Sequence, residues 1–407
     1  MSGEDKKYND LGSPFRGTGG NMLIRLLLLF ILLINPSTNK LIAQDSSRLR
    51  ISLLTCTPGD ELYSIFGHSA IRVIDSNSVT DIVYNYGTFD FDDPGFYLKF
   101  IRGKLLYYIS TETFNDADGY LGFKNRNRLT NRGITEQVLN LSAEEKQTIR
   151  HALNENLKEE NKYYKYDFFL DNCTTRLRDL ILKIKKNAPR LPVVMPADTR
   201  FRQAIHQYLD KGKQYWSKLG IDILLGAPTD AVMTAEQQQF LPDNLMKALD
   251  KNAPSIVASS TNLYQLPISN DTGSWFTPMV FFSMLLALFV LLSLSKNRTI
   301  QMILKGLDRL LFFTTGLLGI ILILMWTATD HSMTKNNYNL LWALPLHIVM
   351  AFFINSKNRF VKKYFLLTSV SLVIVLLAWF FLPQQLNNAL IPFVLLLLYR
   401  SAMKYFK

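Results

Sequence analysis

Five apolar stretches fill the last third of this 407-residue chain: Phe276–Leu294, Leu310–Thr327, Tyr338–Ile354, Tyr364–Leu382 and Ala389–Tyr399. Three of them reach about 18 residues, enough to cross a hydrocarbon core of about 30 Å. Pro345 and His347 interrupt the third, and the fifth is short unless it runs on toward Phe406. In lipid such segments must satisfy their backbone internally, so they fold as a helical bundle. The longer segment ahead of them has water-soluble character, and the chain divides into two kinds of domain.

The net charge of +12 is placed for a membrane protein and not for nucleic acid. Lys296, Arg298, Lys305 and Arg309 follow the first stretch; Lys357, Arg359, Lys362 and Lys363 follow the third; Arg400, Lys404 and Lys407 end the chain. Of the alternate loops, 328–337 holds only Lys335 and 383–388 holds no base. Basic loops stay cytoplasmic. The reading is therefore a multi-pass membrane protein with its C-terminus cytoplasmic and its soluble segment on the other side, periplasmic or extracellular. Near the N-terminus, Met22–Arg25 leads into the apolar run Leu26–Ile34, and Ala43-Gln44 offers a cleavage point. This pattern reads as a secretory signal; an uncleaved anchor is the alternative. The expected divisions are 1–44 (extension and signal or anchor), 45–252 (soluble catalytic domain), 253–274 (linker) and 275–407 (membrane domain).

The soluble segment reads as α+β. Residues 48–54, 69–74, 81–91, 105–110 and 136–141 carry strand patterns, and Asp92-Asp93-Pro94-Gly95 is a turn signal. Ser142 and Glu145 form a capping box that opens a helix to about Lys158. A second helix starts near Cys173, with Leu177, Leu180, Ile181 and Ile184 on one face.

Two signatures carry chemistry: Phe66-Gly67-His68-Ser69 and Asp171-Asn172-Cys173-Thr174. Asp171 or Asn172 can cap the helix, which places Cys173 in its first turn. There free N–H groups and the dipole lower a thiol pKa and can hold an oxyanion. Arg176 and Arg178 add positive charge. His68, at a strand start after a glycine, is the best-placed base of the five histidines. Asn85, on a neighbouring strand, is the choice to orient the ring, with Asp81 second. A structural Cys56–Cys173 disulfide is the competing reading, since the chain has two cysteines and is exported. Arg72 reads either as a substrate contact or as a buried ion-pair partner. His331 lies in a polar, aromatic outer loop that either holds a phosphate head group or is a plain interfacial belt. No metal site is expected, as no second cysteine has ligand spacing and no HExxH occurs. No cofactor is implied.

With those residues in place, the sequence resembles a known family. Leu53–Tyr63 running into Phe66–Val73, then Tyr84–Phe91, then Asp171–Asp179, are similar to the Lnb N-terminal periplasmic domain. That domain is found in the lipoprotein N-acyltransferase of Bacteroides-type bacteria. The resemblance implies a circularly permuted papain-like thiol domain, related to lecithin–retinol acyltransferase, followed by an all-α bundle of about five transmembrane helices. It implies Cys173, His68 and Asn85 as catalytic residues; Asn172, Tyr63, Arg72, Arg176 and His331 are the candidates for substrate binding or support. The implied reaction moves an acyl chain from a phospholipid donor, through a cysteine thioester, to the α-amine of a lipoprotein acceptor. A membrane-anchored cell-wall peptidase or amidase, and an inactive receptor or scaffold, are the rival readings.

Overall fold

The computed structural model describes residues 48–61, 63–265 and 275–406. The signal or anchor expected at 1–44 lies outside them. A seven-stranded antiparallel sheet organises the soluble part: β1 (Leu49–Cys56), β2 (His68–Asp75), β3 (Thr80–Thr88), β4 (Leu106–Thr113), β5 (Ile134–Leu139), β6 (Tyr163–Lys165) and β7 (Val257–Tyr264). Their spatial order is β6-β4-β3-β2-β1-β5-β7. β1 and β2 are buried along nearly all of their length.

One face of the sheet packs α3 (Ala143–Leu157), α4 (Cys173–Ile184) and α7 (Pro242–Asp250) through Ile149, Leu153, Leu177, Ile181, Leu245 and Leu249. The other carries α2 (Phe123–Leu129) over Leu54, Ala70, Val83 and Phe114. The Ser142–Glu145 capping box forms as its residue types dictate, with Ser142 N–H donating to Glu145 Oε2 at 2.7 Å and Glu145 N–H to Ser142 Oγ at 3.2 Å. β7 corrects the expected linker at 253–274. Its Ser-, Thr- and Asn-rich sequence is mostly exposed, and main-chain pairing with β5 holds it at the sheet edge.

The membrane part also differs from expectation. Among the described residues three helices are long and apolar enough to span: α9 (Arg298–Thr327), α11 (Arg359–Ala378) and the segment Asn388–Phe406, which contains α12 (Ile391–Phe406). The 17-residue α8 (Pro278–Leu294) is shorter. The stretch Tyr338–Ile354 is not a continuous helix; it breaks into a 3-10 turn at Tyr338–Leu341 and the single turn α10 (His347–Met350). Its backbone lies directly on α9. A β-carbon at Gly316 would stand 2.1 Å from Ile348 N, and one at Gly319 would stand 2.0 Å from Ala343 O. Within the bundle, Asp308 is fully buried and accepts Arg400 through both oxygens at 2.6 and 2.7 Å, and Lys404 at 2.6 Å, so the buried carboxylate is not left without a counter-charge.

The soluble domain is fastened to the loops of this bundle. α6 (Tyr215–Leu224) ends against them, and its last carbonyls would lack intrahelical partners. Asn337 Nδ2 donates to Ile223 O at 2.8 Å, Asn339 Nδ2 to Asp222 O at 3.1 Å, and Gln384 Nε2 to Leu225 O at 2.8 Å. Asn387 Nδ2 donates to the Asp222 carboxylate at 2.8 Å, which also accepts from buried Arg202 at 2.8 Å.

Candidate active site

Three elements meet at one end of the sheet. β2 opens with His68, directly opposite Cys56 of β1. Gly67 before it has φ +83°, and a β-carbon there would lie 2.8 Å from Cys56 O, so only glycine fits. β3 delivers Asn85 and then bulges before Thr88, with Gly87 at φ +89°. α4 arrives from the core face with Cys173 as its first residue.

Asn172 is the N-cap of α4. Its Oδ1 accepts from Thr174 and Thr175 N–H at 2.8 and 2.9 Å, while its Nδ2 donates to Phe168 O and Phe240 O. That arrangement fixes the first turn of α4 and occupies two of its backbone donors. Thr174 is pinned by Ser69 Oγ at 3.0 Å, which ties α4 to β2 beside the histidine.

His68 Nε2 lies 3.0 Å from Asn85 Oδ1. Asn85 Nδ2 donates to Glu112 Oε1 at 2.8 Å, and Arg126 in turn pairs with Glu112, its Nε 3.2 Å from Oε2. Because the amide nitrogen faces a carboxylate, the amide oxygen faces the ring. That oxygen can only accept, so Nε2 carries the proton and Nδ1 is left to serve the thiol. Burial pushes the Cys173 thiol up. The charge of His68, its hydrogen bond, the Ser69 N–H and Thr174 together outweigh burial and bring the thiol down to about 7. Burial pushes Cys56 up to about 12, and both cysteines are free thiols. The disulfide alternative is therefore not the arrangement seen.

Two tyrosines complete the surroundings. A β-carbon on Gly87 would stand 3.7 Å from Cys173 Cβ, 3.4 Å from Tyr166 Cε2 and 3.9 Å from the Tyr164 hydroxyl. The Tyr164 hydroxyl is buried without a hydrogen-bond partner among the described residues. The Arg176 guanidinium lies 3.5 Å over the Tyr164 ring and is held by both oxygens of Asp171 at 2.7 Å.

The other residues singled out from sequence lie apart from this cluster. Asp81 pairs with Ile74 of β2, six positions beyond His68, and is bound by Arg72 at 2.7 and 2.6 Å. Arg72 also reaches Glu136 at 3.2 Å and covers the Phe114 ring, so it is a buried ion-pair residue and does not contact the thiol. Arg178 pairs with Asp179. Tyr63 is exposed in the turn before Gly67. His331 hydrogen-bonds the carbonyl oxygens of Phe100 and Ile101, each at 3.1 Å. Among the described residues no group of three His, Cys, Asp or Glu is placed to hold a metal. Sequence reading passed over Glu112 because its strand was ended at Ser110. Tyr164 was missed because β6 is only three residues long.

Residues 40–204 match the family model described as the Lnb N-terminal periplasmic domain, and residues 269–407 match the Lnb transmembrane domain. The chain belongs to the Lnb family. Lnb membership makes it a membrane-embedded protein with a periplasmic-type N-terminal domain, and points to a lipoprotein-modifying enzyme. His68, Asn85, Glu112, Tyr164 and Cys173 all fall within the first matched region of this Lnb chain. No curated protein and no solved structure matches it.

Proposed function

We propose that this Lnb protein is a lipoprotein N-acyltransferase working through a thioester on Cys173, in a permuted papain-like thiol domain at the outer face of the inner membrane. The observation that carries the reading is the chain Cys173–His68–Asn85–Glu112 at the start of α4. It supplies a nucleophile, a base and a group that orients the base.

In the first half-reaction the Cys173 thiolate attacks the ester carbonyl of a phospholipid. The Cys173 N–H and the Tyr164 hydroxyl stabilise the oxyanion. The C–O bond breaks, the leaving alkoxide takes the Nδ1 proton of the His68 imidazolium, and a lysophospholipid departs. In the second, neutral His68 removes a proton from the α-amine of the diacylglyceryl cysteine as that amine attacks the thioester. The C–S bond breaks and the thiolate is regenerated. The N-terminal amine of a lipoprotein is the acceptor, and no cofactor takes part.

The test is acyl trapping. Protein purified with phospholipid should carry one acyl chain on Cys173 that hydroxylamine releases, and Cys173→Ala should carry none. Lipoprotein N-terminal peptides from cells holding only the variant should be diacylated. Trimmed muropeptides without an acyl adduct would replace this reading with a cell-wall hydrolase.

A further inference from the structure

A short helix outside the thiol cluster has the wrong polarity for a water-facing surface. α1 (Phe96–Ile101) buries Phe96 but exposes Tyr97 at 76 %, Leu98 at 62 %, Ile101 at 54 % and Phe100 at 50 %. Phe91 and Leu106 extend the same apolar patch. Exposed apolar surface of this kind marks a site that meets protein or lipid.

The contacts of α1 fix where it lies. Its C-terminal carbonyls at Phe100 and Ile101 bond His331, and Arg102 O accepts from Asp330 N–H at 3.0 Å. Gly103, at φ +66°, lets the two backbones touch; a β-carbon there would stand 3.2 Å from His331 N. Asp330 and His331 come three and four residues after α9, the longest membrane helix, which ends at Thr327. α1 is thus pinned at the bilayer boundary by the loop that leaves the bilayer. Arg102 and Lys104 follow it, Asp90, Asp92 and Asp93 precede it, and Asp330 pairs with Lys165 at 3.0 Å, so charged groups of both signs border the apolar ones. An apolar face rimmed by charge is the pattern of an interfacial anchor.

Aromatic rings continue from this helix to the thiol. Phe96 lies 5.9 Å from Phe89, Phe89 5.4 Å from Tyr107, and Tyr107 stacks on Tyr166 at 4.4 Å. Tyr166 reaches the Gly87 position beside Cys173. We propose that α1 is immersed in the outer leaflet and takes up a glycerophospholipid there, whose acyl chain is led along Phe89, Tyr107 and Tyr166 to Cys173. Immersion stands on the contacts alone; delivery to Cys173 rests on the acyltransferase reading.

The full-length protein in nanodiscs of phosphatidylethanolamine and phosphatidylglycerol tests both parts. In a Cys173→Ala background, a fluorophore attached at Leu98→Cys is compared with one at Val79→Cys. Val79 is 91 % exposed in the turn at the opposite end of β3. Lipids brominated on the acyl chain should quench the Leu98 probe at least about threefold more than the Val79 probe, as for a helix seated at the head-group boundary. Equal quenching overturns immersion. In otherwise native protein, Leu98→Asp with Ile101→Asp should slow acylation of Cys173 by bilayer phospholipid about tenfold or more, through lost apolar insertion. Acylation by a water-soluble short-chain thioester should stay unchanged. Unaltered phospholipid acylation, or equal loss with both donors, overturns delivery. If native Cys173 is acylated by neither donor, the acyltransferase reading and delivery fall together, and quenching still decides immersion.

Discussion

Asn85 faces His68 with its oxygen because Glu112, on the next strand, holds its nitrogen at 2.8 Å. The imidazole tautomer is therefore set two residues away from the thiol. Asn85→Ala should lower the acyl-transfer rate about 10- to 100-fold, the scale of a mispositioned base. Glu112→Gln, which keeps a hydrogen-bond acceptor, should cost less. Single-turnover acylation of Cys173 measures both, and a native rate in Glu112→Ala would remove Glu112 from its orienting role.

The charge state of Cys173 gives a pH dependence. Its thiol is lowered to about 7, so the reactive thiolate is lost as pH falls through that value and fully present above it. Alkylation of Cys173 by iodoacetamide should rise as pH climbs through about 7 and then level off. In His68→Ala the opposing charge is gone, and the profile should move up toward the ordinary thiol range. Cys56, buried and raised to about 12, should stay unmodified throughout. Peptide mass spectrometry reads both sites in one experiment.

Tyr164→Phe separates catalysis from stability. The hydroxyl it removes is buried and has no partner among the described residues, so its loss should leave the melting temperature unchanged or raised. The acylation rate should drop on the order of 100-fold if the hydroxyl is an oxyanion donor. A stable variant with the native rate would assign the Tyr164 hydroxyl no part in the reaction.

Gly87→Ala should damage the site without touching a polar group. Its φ of +89° is unfavourable for a residue with a β-carbon, by about 1–2 kcal/mol. The added carbon would meet Tyr166 and Cys173 at ordinary contact distance, so the strain falls on the backbone beside the thiol. A lower melting temperature with a slowed acylation step is the expected pair of results.

The fastening of α6 is testable on its own. Asn337→Ala takes the side-chain donor from the Leu224 carbonyl and leaves that of Ile223 with Asn339 alone, at a cost of about 1–3 kcal/mol if the Leu224 carbonyl stays buried. Hydrogen exchange should quicken in α6 and stay unchanged in α4.

Sequence was most informative where one local pattern decides the structure. The capping box at Ser142, the apolar face of α4 and the strands that become β1 to β3 depend on residues close together in the chain. The same holds for the Gly-His and Asn-Cys signatures, whose side chains meet because β2 and α4 begin at the same end of the sheet. β7 was hidden because an exposed edge strand held by main-chain bonds has no apolar period to display. The break at 338–354 is signalled only in part, by Pro345 and His347 within a composition that is otherwise that of a span; the backbone contact it makes there depends on Gly316 and Gly319 of another helix. Glu112 and Tyr164 act through distant partners, which no short window contains.

Ser332 Oγ donates to Asp167 Oδ2 at 2.6 Å, and the Asp167 main chain bridges to Asp171, two residues before Cys173. The thiol is thereby tied to the loop that follows α9, and on the acyltransferase reading it works at a constant height above the lipid. Any reactant carried by the bilayer must reach it by lateral diffusion in two dimensions. Turnover should then follow the mole fraction of that reactant among the lipids, and dilution with inert lipid should slow the protein even when the total amount of reactant in the tube is constant.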